Sequence, residues 1–145
     1  NCGNWHTVLA NKRGPPATGC LCHMNLESLK ACGIDYPSAL ARCMGDEEIY
    51  ETVLRLFLED HTMADAEAAL EQGNLKEMFN CVHTLKGISG NASMMELYAQ
   101  ACALTELLRS ASPDEAAVRR AFGPFKACYQ TVLAGVAAAV GQPIA

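Results

Sequence analysis

In four successive stretches of this chain apolar residues recur every three to four positions, and no stretch alternates with period two for long. Such spacing lines one face of a 3.6-residue helix, whereas a half-buried strand needs strict alternation. The chain therefore reads as all-α. Four amphipathic helices joined by short connections predict an antiparallel four-helix bundle, with one or two short N-terminal helices capping one end.

Start and stop signals divide the pattern. Asn25 is placed to cap a short helix from Leu26 to Cys32, which Gly33 stops. Tyr36-Pro37 opens a second short helix, with proline in its first turn, and Gly45 ends it. Asp46-Glu47-Glu48 begins a long helix that carries Ile49, Tyr50, Val53, Leu54, Phe57, Met63 and Leu70 and is expected to run unbroken to Gln72 before Gly73. Asn74 and Glu77 have capping-box spacing, and the helix they open sets Leu75, Met78, Val82, Leu85 and Ser89 on one side. A further helix covers about 94–110. Ser112-Pro113-Asp114-Glu115 starts the last, whose stripe of Val118, Phe122, Phe125, Tyr129, Val132 and Val136 is expected to kink or break at Gly123-Pro124.

The domain is read as residues 24–145. Residues 1–23 lack an apolar period and contain Gly14-Pro15-Pro16, and are read as a vector-derived or disordered leader; His23-Met24 resembles a cloning scar, and Met24 reads as a natural start. The competing reading of this segment is a metal clip built from Cys20, Cys22 and His23, with Cys2, but Cys-x-Cys-His is not the usual zinc spacing.

Half of the 145 residues are hydrophobic, too many for a disordered chain, and no apolar run reaches the roughly 18 residues that span a bilayer. The net charge of −5 argues against nucleic acid as a partner, since phosphate neutralisation needs a basic patch. Without a signal-peptide pattern, a cytoplasmic location is expected. There the eight cysteines would stay reduced, and Cys32, Cys43, Cys81, Cys102 and Cys128 are read as small core or boundary residues.

Chemistry concentrates in Cys81-Val82-His83-Thr84-Leu85-Lys86-Gly87-Ile88-Ser89-Gly90-Asn91. With Met78, Val82 and Leu85 pointing inward, His83 is turned by more than roughly 100° from the apolar face and should stand in solvent. Lys86 at i+3 and Gly87 at i+4 share its surface. The lysine supplies positive charge suited to an anionic phosphoryl group, and the glycine lets a partner backbone come close. Glycine in a helix costs about 1 kcal/mol against alanine, which suggests that access matters there. Phe79, at i−4, offers an apolar contact to the ring.

His83-Thr84-Leu85-Lys86-Gly87 followed by Ser89-Gly90-Asn91 resembles the phosphorylation motif of histidine-containing phosphotransfer (HPt) domains. The resemblance extends through Gly33-Ile34-Asp35, Gly45-Asp46-Glu47-Glu48, Leu56-Phe57-Leu58 and Gly73-Asn74-Leu75, and so covers about residues 24–110, with the closing helix fitting the family's bundle. It implies a phosphorelay intermediate in two-component signalling, not an enzyme with ATP-binding or kinase activity of its own. His83 would be the phosphoacceptor, Lys86 would steady the phosphoryl charge and Gly87 would give access. Phe79, Asn80 and Gly90 would dock the partner. Partners would be receiver domains, which bring the magnesium ion, and a hybrid histidine kinase; this chain would need no metal or cofactor and would act as a monomer. Two positions depart from the family's pattern. Ser93 stands where many members carry glycine, and Thr105 stands where many carry Gln or Glu facing the imidazole. Thr105 is a candidate orienter of the ring, or a plain helix–helix contact.

Three other readings bear on the same residues. A di-metal carboxylate bundle needs Glu-x-x-His pairs facing inward, but Asn80 stands three residues before His83. A non-catalytic helical interaction module would leave His83 unphosphorylated. A phosphoacceptor domain of a larger hybrid or chemotaxis kinase would carry the same histidine; Met24 as a start favours a stand-alone protein. The remaining histidines, His6, His23 and His61, are read as solvated surface residues.

Overall fold

A computed structural model describes residues 24–141. They form seven helices: α1 (Leu26–Ala31), α2 (Tyr36–Arg42), α3 (Glu47–Glu59), α4 (Thr62–Glu71), α5 (Leu75–Asn91), α6 (Met95–Arg109) and α7 (Glu115–Val140). The expected leader and the alternative metal clip at Cys2, Cys20, Cys22 and His23 lie outside the described residues.

The caps are where side-chain chemistry places them. Asn25 Oδ1 accepts from the Ser28 amide at 3.3 Å, Asp46 Oδ1 from Glu48 and Ile49 at 3.0 and 3.3 Å, Asn74 Oδ1 from Glu77 at 3.1 Å and Asp114 Oδ1 from Ala117 at 3.2 Å. Each satisfies a first-turn N–H that has no helical partner. The Glu77 carboxylate accepts from the Cys81 thiol at 3.8 Å. Gly33, Gly45 and Gly73 have φ of +89°, +77° and +69°, the left-handed conformation that ends a helix without a Cβ clash.

The four-helix bundle is present, and its first leg differs from expectation. The helix predicted from Asp46 to Gln72 is two helices, α3 and α4, parted at Asp60 and His61. Asp60 leaves the helical region, with ψ of 137°, and its carboxylate accepts the Thr62 amide at 2.8 Å. This side chain stops one helix and serves the first turn of the next, while the apolar pattern runs on through Leu58 and Met63. The second correction concerns Gly123-Pro124: α7 passes through both as one helix. Proline leaves the Arg120 carbonyl without its intrahelical donor, but Pro124 and Gly123 are exposed, so water reaches that group, while Phe122 and Phe125 are anchored in the core.

The α3–α4 leg, α5, α6 and α7 close a ring: α4 packs on α5, α5 on α6, α6 on α7, and α3 on α7. Tyr50, Leu54, Phe57, Met78, Val82, Leu85, Leu97, Leu104, Val118 and Phe125 fill its centre. Of the cysteines, Cys32, Cys43 and Cys81 are buried and Cys102 and Cys128 half-buried, all five free.

The short helices cap the end of the bundle where α5 turns into α6. α1 packs on α7, with the Asn25 amide donating to the Ala139 carbonyl at 2.9 Å. The loop after α1 is stitched to the α5–α6 turn: Asp35 N–H donates to Ser93 O at 3.0 Å and Met95 N–H to Gly33 O at 3.3 Å. The Tyr50 hydroxyl donates to the Ala92 carbonyl at 2.7 Å, tying α3 to the same turn. Ser93 is buried with φ of +55°, a conformation that glycine reaches without strain; its hydroxyl donates to Ser38 Oγ at 3.2 Å.

Candidate functional site

The face of α5 that is not packed carries the site. Met78, Cys81, Val82, Leu85, Ile88 and Ser89 are buried, and the 100° step per residue leaves His83 exposed on the opposite side. Exposure rules out the inward-facing carboxylate metal site, and among the described residues no group of three or more His, Cys, Asp and Glu side chains is placed to hold a metal ion.

One turn before His83, the Phe79 ring is stacked on the imidazole in an offset, near-parallel arrangement: the ring centroids are 5.9 Å apart and the planes 11° from parallel. Asn80 is exposed beside it, and its carbonyl accepts from the Thr84 hydroxyl at 2.9 Å.

On the other side of His83 is a cleft of about 410 Å³ lined by Arg42, His83, Lys86, Gly87, Ser89, Gly90, Asn91, Met95 and Tyr98. Three elements build it. α5 supplies one wall, α6 the other through Met95 and Tyr98, and Arg42 reaches in from the end of α2. The walls approach closely at Gly90, where an added Cβ would lie 3.1 Å from Tyr98 Cε2 and 3.2 Å from Cδ2. Gly90 thus lets the tyrosine ring lie on the α5 backbone. Tyr98 and Met95 are 38% and 53% exposed, so this wall of the cleft presents two large, partly apolar side chains to solvent.

The charge at this cleft is one-sided. Among the described residues no carboxylate lines it, although the chain as a whole is acidic. Four cations, Arg55, Arg109, Arg119 and Lys126, are held in ion pairs with glutamates. Arg42 and Lys86 are in none of them. The Tyr98 hydroxyl pKa is pushed up by its interaction with the Cys102 side chain, with Arg42 acting in the opposite direction, so the guanidinium's field reaches this wall.

Of the residues expected from sequence, His83, Lys86, Gly87 and Gly90 come together at the cleft, Phe79 joins them through its stack on His83, and Asn80 stands outside the cleft lining. Thr105 does not join them. It is fully buried, and its hydroxyl donates to the Ala101 carbonyl at 2.7 Å, within its own helix. The proton expected for orienting the imidazole is committed there. Met95 reads from the sequence as a core or boundary residue, and no motif marks Arg42 or Tyr98. A glycine followed eight residues later by an aromatic hints at the Gly90–Tyr98 approach; nothing local ties Arg42 to a histidine 41 positions away.

Residues 52–141, more than half of the chain, match the family model of the Hpt domain, and the protein belongs to that family. Hpt domains are phosphotransfer modules of two-component signalling, carriers rather than catalysts, which work with receiver domains and kinases. No curated protein and no solved structure matches the chain. No helix among the described residues is long and apolar enough to cross a membrane.

Proposed function

We propose that this protein is a phosphorelay intermediate that accepts a phosphoryl group on His83 from a receiver-domain aspartate, or a related kinase, and passes it to another receiver domain. The single observation that carries the reading is an exposed histidine, stacked on Phe79, in the lining of a cleft that holds Arg42 and Lys86 and, among the described residues, no carboxylate.

The unprotonated ring nitrogen attacks the phosphorus of the aspartyl phosphate in line. A nitrogen–phosphorus bond forms as the aspartyl oxygen–phosphorus bond breaks, and that bonding pair leaves on the carboxylate. Such a transfer depends on positioning and charge neutralisation more than on covalent help from the protein. Phe79 fixes the ring, Lys86 faces the phosphoryl oxygens, and Gly87 and Gly90 keep the surface low enough for a partner loop. The divalent ion that neutralises the aspartyl phosphate comes with the receiver. Phe79, Asn80, Met95 and Tyr98 give that partner a mixed apolar and polar seat.

The test is transfer of label from an acetyl-phosphate-charged receiver to the wild type and to His83→Gln, with several receivers tried. Acid-labile, alkali-stable label on the wild type alone is expected. Label retained on His83→Gln, or a folded wild type that no receiver labels, overturns the assignment; the second result would leave a non-catalytic interaction module.

A further inference from the structure

Arg42 sits on α2, outside the segment that matches the family, yet it lines the same cleft as His83. It makes no ion pair or hydrogen bond with the described residues, and neither does the Lys86 ammonium. In a chain of net charge −5, Arg42 and Lys86, neither of them in an ion pair, line one cleft to which the described residues contribute no carboxylate. The site is therefore shaped for an anion with several acceptor oxygens. Lysine offers a point charge, whereas a guanidinium offers a planar fork that meets two oxygens of a phosphoryl group together.

The position of Arg42 is not accidental to the fold. α2 is capped by Asp35, whose amide donates to Ser93 O, and Ser38 of α2 accepts from the Ser93 hydroxyl. These bonds fix the N-terminal helices to the α5–α6 turn and so carry Arg42 to the phosphoacceptor face.

Resting on the phosphocarrier reading of His83, we propose that Arg42 is a second phosphoryl-binding residue, which with Lys86 cradles the phosphoryl group once it is on His83. The N-terminal helices are then part of the site and not only a cap. Because Arg42 acts on the phosphorylated product, it sets how the phosphoryl group divides between this protein and its receiver at equilibrium.

The experiment equilibrates a labelled receiver with wild type, Arg42→Gln and Arg42→Lys, and measures the ratio of label on each protein at low and high salt. The wild type must take label for the comparison to be made; if it does not, the His83 reading fails. With the wild type labelled, Arg42→Gln is expected to shift the partition toward the receiver by roughly two- to fivefold, the size of a solvent-exposed charge pair. Arg42→Lys should recover part of the shift, and high salt should shrink it. An unchanged partition overturns the proposal. So does a raised KM for the receiver with the partition unmoved, because Arg42 would then meet the partner's own acidic groups. A thermal midpoint equal to wild type, expected for an exposed side chain without partners, separates either result from misfolding.

Discussion

Gly135→Ala should destabilise this protein although it improves the helix that contains it. Gly135 lies in α7 where α1 crosses. A Cβ built there falls 2.6 Å from both Cβ and Sγ of Cys32 and 3.1 Å from the Ser28 carbonyl oxygen. Carbon atoms rest about 3.5–4.0 Å apart, so the overlap is about 1 Å. Rotating the Cys32 side chain cannot relieve it, because Cβ is fixed to the backbone; α1 has to back away. Retreat strains the Asn25–Ala139 hydrogen bond and opens the packing of Leu29, which is fully buried. Overpacking of this kind costs about 1–3 kcal/mol, and the gain from replacing glycine by alanine in a helix is about 1 kcal/mol. The net expectation is a loss of up to about 2 kcal/mol, read from urea denaturation followed by far-ultraviolet circular dichroism with an unchanged m-value. Cys32→Gly removes both clashing atoms. In that background Gly135→Ala should be close to neutral or stabilising, and the double-mutant cycle should show coupling of the same order. A single Gly135→Ala variant that is more stable than wild type by about 1 kcal/mol would refute the close approach of α1 to α7. His83 is on a different face, so phosphoryl acceptance should persist below the lowered melting temperature.

Other perturbations probe separate links. Tyr50→Phe removes the donor to the Ala92 carbonyl and should cost about 1–2 kcal/mol in denaturant unfolding, since a buried acceptor is left unpaired. Asp60→Ala removes the bond to the Thr62 amide and should cost about 1 kcal/mol, with hydrogen exchange rising first in the opening turn of α4. Burial, with the carboxylates of Glu77 and Asp65 beside it, raises the Cys81 thiol from 9.0 to about 11. The folded state holds that proton more tightly than the unfolded chain, so its contribution is complete below pH 9 and is lost as pH rises toward 11; Cys81→Ala should flatten the fall in stability over that window. Gly90→Ala should displace the Tyr98 ring by a few tenths of an ångström, seen as a shift of its aromatic NMR signals, with weaker phosphoryl transfer and little loss of fold.

What the amino-acid order determines here is local. Helical spacing, the caps at Asn25, Asp46, Asn74 and Asp114, and the stops at Gly33, Gly45 and Gly73 act over one or two turns, so their reading carries over to the structure. The exposure of His83 and its stack on Phe79 follow from the same periodicity, because i and i−4 share one helix surface. Even local chemistry misleads where two signals compete. Asp60 breaks a continuous apolar pattern by bonding a backbone amide, and Pro124 stays in a helix because Phe122 and Phe125 are packed on either side of it. Tertiary structure alone decides what meets across distance. Thr105 turns its hydroxyl to Ala101 because its position is buried, and Arg42 reaches the cleft of His83 because Asp35 and Ser38 are tied to Ser93. Periodicity names the face a residue occupies; only packing of the helices decides which other face it will find there.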